Sequence, residues 1–503
     1  MSLLGIDIGT TGCKSVLFSE EGELLAAAYE EYDIQFPQPG WAVLDSAAVW
    51  ENIQQTIRAV TPQAAADSIK AVSATSCGEA MVPVSRDREI LGPSITMLDL
   101  RGSEYVDQLQ TRLEPTAFYR LNGNTFGNHY SLTKLMWLRD HQPDLYAKTH
   151  KFLLWGGFVP FMLGAEPFTD YSLANRTLLF DLEQETWSDE MLELTGLDLA
   201  KLPKPVPSGT VVGTVAPAIA AELSLPPNIP IVAGAHDQSA NAVGCGVLDE
   251  GMAMYGMGTF LCIVPVFRER KDPAVMLARG LNTEHHAAPG KFVSFIYNDG
   301  GSLFKWFRET FAQADKKLAE AAGRDVYADL IAEMPDTPTQ IVVLPHFSTT
   351  GPPQFIADSC GFMAGLRLDT SRGDILKGIL QGATFYLLES VNSLPAAGIE
   401  ISDFRAVGGG SKSDAWVQLS ADILGRPFIR PNITEAGALG TAIMAGTGCG
   451  VFDSFAEGVD TMVTLEKTFE PNPQRQAQYR EQFATYQKAW PLLQDYLREI
   501  ATE

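Results

Sequence analysis

The sequence predicts an α/β protein built from two similar domains with a cleft between them. Three observations carry that expectation. The chain has 503 residues, whereas single cores rarely grow past about 250–300 residues. Strand-like and helix-like segments alternate along most of its length. A strand, a glycine turn and a second strand open both halves, with Gly9-Thr10-Thr11-Gly12 in the first and Gly256-Met257-Gly258-Thr259 in the second. Duplicated layers of this kind bury their apolar faces separately and leave a cleft where they meet.

Taken in order, the apolar residues Leu3, Leu4, Ile6 and Ile8 read as a first strand, residues 15–18 as a second, and the ELLAA stretch as a third. Residues 50–60 have the spacing of an amphipathic helix. Residues 69–84 read as strand, loop, strand. Residues 131–148 are helical until Pro143 interrupts them. Residues 202–217, rich in proline and glycine, read as a surface excursion or linker. A buried strand over 229–233 then leads to a helix beginning near Gln238. Residues 375–394 form a long helix, and 404–424 give strand, triple-glycine turn and helix. The last segment, from about Asn472, is charged and helical and is expected to lie across the outside. The expected division is 1–246 and 247–503.

Composition narrows the function classes. With 46% hydrophobic and 19% charged residues the chain can build large cores. A net charge of −24 and a pI near 4.7 argue against a nucleic-acid or anionic-membrane partner. They do not exclude an anionic small molecule, because backbone amides in a glycine loop bind phosphate on an acidic protein. The six cysteines are scattered with no C-x-x-C pair, as expected of free thiols in a reducing compartment. No basic region precedes the first strand and no apolar run could span a bilayer, so a soluble cytoplasmic protein is expected.

The chemistry-bearing stretches have neither Walker A spacing nor a complete G-x-G-x-x-G. Asp7 to Lys14 (DIGTTGCK) lies between two strands. Its glycines, threonine hydroxyls and lysine suit an anion, while Asp7 suits that place only with a cation between. A tight turn with a solvated lysine is the other reading. GAHDQ around Asp237 follows, then Gly256-x-Gly-Thr259, then Gly408-Gly-Gly-Ser411-Lys-Ser-Asp414.

Together and in this order, these four pieces resemble the FGGY carbohydrate kinases, the family of xylulose, glycerol, gluconate and ribulose kinases. PQPGWAVLD, LPHFSTTGPP and ITEAGALGTAIMAG extend the resemblance over nearly the whole chain. It implies two actin-like (ribonuclease H-like) domains flanking a catalytic cleft, and ATP with Mg2+ as phosphoryl donor. Gly9, Thr10, Thr11 and Lys14 would hold phosphate from one domain, and Gly258 with Thr259 from the other. Gly409, Gly410, Ser413 and Asp414 would face the nucleotide, the glycines passing the adenosine where a side chain would not fit. Asp7 would hold magnesium. Asp237 would be the catalytic base, accepting the proton of a sugar hydroxyl as the phosphoryl bond forms, and Gln238 would sit beside it in the acceptor site. Asp237 could also cap its helix, a use that would not require the rest of the motif set.

The acceptor is less defined. In TSCGEAM, Glu79 stands where xylulose kinases carry histidine, and Gly78 where glycerol kinases carry arginine. Glu79 would accept hydrogen bonds from hydroxyls and repel a sugar-acid carboxylate. Asp99 in TMLDLRG would bind sugar hydroxyls, with Arg101 orienting it or forming a structural ion pair, and His129 is a further candidate. A neutral ketose such as xylulose is expected, with gluconate, glycerol or another polyol as alternatives. A non-catalytic, chaperone-like ATP switch of the actin fold is the competing class. The resemblance leaves a homodimer open. His285 and His286 are expected in a loop, His236 in packing or tuning Asp237, Arg367 to Arg372 in a solvated turn, and Phe304, Trp306 and Phe307 in the core.

Overall fold

The structure is a computed structural model and describes residues 1–64, 69–433 and 435–501. It contains two lobes, each organised on a mixed sheet. In the first, six strands run Val211–Thr214, Pro230–His236, Ile69–Ser76, Ser2–Ile8, Gly12–Ser19, Leu24–Glu31. The three strands that begin at Ser2 form an antiparallel meander, and Ile69–Ser76 and Pro230–His236 join it in parallel. Leu3, Leu4, Ile6 and Ile8 are all fully buried, as a central strand covered on both faces requires.

The second lobe repeats the plan. Gly251–Met257 and Phe260–Phe267 are an antiparallel hairpin, and Ile401–Val407 and Phe428–Pro431 extend the sheet in parallel from its first strand. The two-domain α/β architecture expected from the paired glycine hairpins is therefore present.

Local signals explain most element boundaries. Asp45 accepts from the amides of Ala47 and Ala48 and starts the helix Ser46–Val60. Ser371 and Asp374 form a reciprocal capping box at the head of Arg372–Ser393. Two expectations need correction. Residues 202–217 are no linker, since they include the edge strand Val211–Thr214 of the first sheet. Pro143 does not simply end a helix. It opens a second one, Pro143–Lys148, at a first-turn position where proline loses nothing. The final helix, Pro473–Ala501, buries Tyr479, Phe483, Tyr486 and Leu497 against the second lobe.

Two helices join the lobes. Asp237–Gly244 leaves the first sheet, and the apolar chain around it (Ala242, Cys245, Val247) clusters with Met254, Val264 and Val407 of the second. Ala436–Gly448 comes from the second half of the chain, yet it lies on the first sheet, with Ala438, Leu439 and Ile443 against Leu3, Val16 and Val232. The two helices touch backbone to backbone. A Cβ on Gly440 would collide with the carbonyl oxygen of Ala240, and one on Gly244 with that of Ala436. A third cluster, from Val43 to Leu202, forms a shelf beside the first sheet.

Candidate active site

The first glycine turn places a carboxylate and a lysine side by side. Asp7 and Lys14 are opposed in the register of Ser2–Ile8 and Gly12–Ser19, so the turn between them is only Gly9 to Thr11. The Gly9 amide donates to Gly12 O at 2.9 Å, and the Tyr32 hydroxyl donates to Gly9 O at 2.6 Å, which fixes the turn from outside. Lys14, expected to be a free phosphate donor, forms an ion pair with Glu435. Burial pushes the Asp7 carboxyl up to about 6, with Lys14 opposing and Glu435 adding to the effect.

Asp237 stands at the end of the parallel strand Pro230–His236, as the first residue of the helix that joins the lobes. It does not cap that helix: no side-chain cap is formed there, and the cap position belongs to His236. Burial pushes its carboxyl up to about 7, and the nearby Asp7 charge adds to that, while hydrogen bonds from Gln238 pull the other way. The Gln238 side chain donates to Asp237 Oδ1 at 3.2 Å. His236 Nε2 lies 3.1 Å from the same oxygen. Burial and the Arg176 charge hold His236 well below the usual imidazole range, so it sits there neutral.

The second glycine turn is braced by the helix Gly301–Phe311. The amides of Gly301 and Ser302 donate to the carbonyls of Gly258 and Thr259, each at 3.0 Å. A cleft of about 1500 Å³ opens from this turn, lined by Gly258, Thr259, Gly409, Gly410, Ser413 and Asp414. All six second-lobe positions expected at the nucleotide thus share one cavity. A Cβ on Gly409 would meet open space, whereas one on Gly410 would lie 2.7 Å from the Trp416 ring. Gly410 is therefore required by packing within the protein. Ser413 caps the helix Asp414–Leu424 by accepting from the Trp416 amide, and Asp414 is ion-paired with Arg430 at 2.8 Å and with Lys467. Trp306, expected in the core, is 37% exposed and lines the cleft, while Phe304 and Phe307 are buried.

On the acceptor side the structure departs further from expectation. Asp99 was expected to hold sugar hydroxyls. Instead its Oδ1 accepts from the Arg101 amide and Nε, at 2.9 and 2.8 Å, and its Oδ2 accepts from the Ala42 amide and Arg101 Nη2, both at 2.6 Å. Its side chain is wholly buried. Arg101 stacks 3.8 Å from the Trp41 ring centre, so the pair pins the Trp41 segment, and the Asp99 oxygens are taken up by protein donors. Glu79 is ion-paired with Arg176, a residue that motif reading did not single out. Its signal was an arginine within the apolar stretch LANRTLLF, where a charge needs a buried partner. The His129 ring lies tilted against that of Tyr130, and burial with the Arg176 and Lys134 charges pushes its imidazole down to about 3. His285 is in a short strand, and His286 meets Val247 O at 3.0 Å; neither is in an open loop. Arg372 is tied to Asp315 and Glu333.

Residues 2–244 match the FGGY family of carbohydrate kinases, N-terminal domain, and residues 253–449 match its C-terminal domain. The chain belongs to the FGGY family of carbohydrate kinases. It is a phosphotransferase with an alcohol group as acceptor, which sets aside the chaperone-like alternative. A glycerol kinase of Dechloromonas aromatica is 30% identical over 93% of each chain. A xylulose kinase of Bacillus subtilis is 25% identical over 98% of this chain and 97% of that protein. The ligand-bound xylulose kinase of Lactobacillus acidophilus superposes with a TM-score of 0.87 at 22% identity, covering 99% of both chains, and shows the same fold. No helix among the described residues is long and apolar enough to cross a membrane.

Among the described residues, no group of three or more His, Cys, Asp or Glu is set to hold a metal ion. Magnesium in kinases needs less, taking one or two carboxylates and completing its shell with phosphate oxygens and water. Two desolvated carboxylates, Asp7 and Asp237, with the charge of the first raising the pKa of the second, fit such an ion.

Proposed function

We propose that this kinase transfers the γ-phosphoryl group of ATP to a hydroxyl of a neutral ketose or polyol, with a ketose such as xylulose as the leading acceptor. The observation that supports the reading is the desolvated Asp237 carboxylate at the head of the helix Asp237–Gly244, close enough to Asp7 for that charge to raise it further. A hydroxyl is a poor nucleophile. As its oxygen bonds to the γ-phosphorus, Asp237 accepts the proton and ADP leaves with the electrons of the broken phosphoanhydride bond.

The Gly9–Thr11 turn and the Gly258–Thr259 turn would hold the phosphates from opposite sides, so that the reacting atoms are aligned before reaction. The cavity at Gly409 and Ser413 is where the nucleoside would lie. Asp7 would hold magnesium, whose chemistry is to neutralise phosphate charge. Neutral His236 and Gln238 orient the Asp237 carboxylate. Glu79 beside Asp237 favours hydroxyls over a sugar-acid carboxylate, which places aldonates last. The division between sugar-facing and nucleotide-facing domains is proposed at 246/247, just past the end of the joining helix Asp237–Gly244.

Phosphorus NMR of reaction mixtures containing ATP, magnesium and one acceptor at a time tests the reading. A sugar or polyol phosphate monoester should form with a neutral ketose or polyol and not with aldonates. Preferential phosphorylation of an aldonate would overturn the assignment of acceptor class.

A further inference from the structure

We propose that Arg176 is a positioning residue for the acceptor site, holding Glu79 in place for substrate hydroxyls and tying it to Glu284 of the second lobe. The inference rests on the kinase reading above and adds to it a residue with no assigned role.

Arg176 follows the short helix Tyr171–Asn175. Its Nε donates to Glu79 Oε1 at 2.6 Å, and Nη2 donates to the same oxygen. Nη1 donates to Glu284 Oε1 at 2.9 Å, an oxygen that also accepts from Asn282 Nδ2 at 2.7 Å. Glu284 belongs to the second-lobe sheet and its side chain is fully buried. One guanidinium therefore joins carboxylates from both lobes, and its fork geometry suits that use as a lysine would not.

Glu79 needs such support. Its φ is +68°, in the left-handed region that a residue with a side chain seldom adopts. Ser131 Oγ donates to its carbonyl at 2.7 Å and fixes the backbone, while Arg176 fixes the carboxylate. Gly78 makes room for this arrangement: a Cβ there would lie 3.1 Å from both Cγ and Nε of Arg176. The glycine and the arginine thus form a coupled pair, and a side chain at 78 would press on the stem and Nε of Arg176. The neighbouring second-lobe segment is seated on the first lobe as well. The His285 amide donates to Asn175 Oδ1 at 3.0 Å, and the Thr283 amide to Gly123 O at 2.8 Å.

With Arg176 displaced, Glu79 loses its anchor and Glu284 keeps a buried charge without its cation. Steady-state kinetics of Gly78→Ala and Arg176→Lys test the proposal, using the acceptor that the parent turns over best. Each should raise KM for the acceptor by about tenfold or more, the effect of losing a charge-assisted hydrogen bond. KM for ATP and kcat at saturating acceptor should stay within about threefold. The double variant should be no worse than the poorer single one, because the two changes break the same contact. Glu284→Gln leaves the Glu79 pairing in place and should change acceptor KM far less. If Arg176→Lys does not fold, Gly78→Ala decides alone, since its chain keeps Arg176. Folded variants with the parent's acceptor KM, or with KM for ATP raised equally, overturn the inference. A parent inert towards every acceptor overturns the proposed function and this inference with it.

Discussion

Asp237 has a carboxyl pushed up to about 7 by burial and by Asp7, and that single property sets three expectations. Asp237→Asn should lower the single-turnover rate at saturating acceptor by about 10²–10⁴-fold, because asparagine cannot take the proton. In the parent, kcat/KM should fall as pH drops below about 7, since only the ionised carboxylate is a base. Stability should move oppositely. The folded value lies above the ordinary carboxylate value of about 3.9, so the folded state binds the extra proton and loses stability as pH rises from about 4 to 7. Asp237→Asn should therefore melt above the parent at pH 8, with the gap closing towards pH 4. Asp99 predicts the reverse pattern for an expected ligand. Asp99→Ala strands buried Arg101 and should destabilise the protein by about 3–5 kcal/mol in denaturant titrations, while folded enzyme keeps its acceptor KM. The glycine turns themselves, such as those at Gly258 and Gly409, were legible in the sequence. Asp99 and Arg176 were not, because what a charged side chain does depends on partners that only the fold brings near.

The paired glycine hairpins were visible in sequence as apolar runs around glycine turns, and both form antiparallel pairs in continuous register. The helix Ala436–Gly448 shows what pattern reading gave only in part. Its sequence, AGALGTAIMAGTG, identified it as part of a family signature, yet nothing local said that it would lie on the first sheet. Small residues there permit the contact with Asp237–Gly244. Gly440→Val would drive a branched side chain into the Ala240 carbonyl and should cost about 1–3 kcal/mol in urea unfolding. Activity should fall too, because the displaced helix carries Asp237 at its first residue. Normal stability and rate in that variant would show that the two helices are not held at backbone contact. The strand Val211–Thr214 escaped sequence reading because an edge strand with exposed positions and a glycine lacks the alternation that marks a half-buried one.

Across the whole molecule, Glu79, proposed to face the acceptor, belongs to the first lobe and the large cleft at Gly258 and Gly409 to the second. Bringing the two together while excluding water calls for movement of the lobes. Small-angle scattering should show a smaller radius of gyration with saturating acceptor and a non-hydrolysable ATP analogue than without ligands; superimposable curves would contradict closure. The division into two lobes was legible from length and the repeated hairpin, whereas the shelf between Val43 and Leu202 was not, since it interrupts the repeat with short elements of no fixed period. The central claim is that the cleft moves phosphate from ATP to a small neutral alcohol. ADP release by the intact kinase, measured with ATP and magnesium against a panel of ketoses, polyols, aldoses and aldonates, tests it most directly. The account predicts slow release with no acceptor and a large increase with at least one neutral ketose or polyol. Release that is the same with every acceptor as with none, from enzyme that binds ATP, would contradict it.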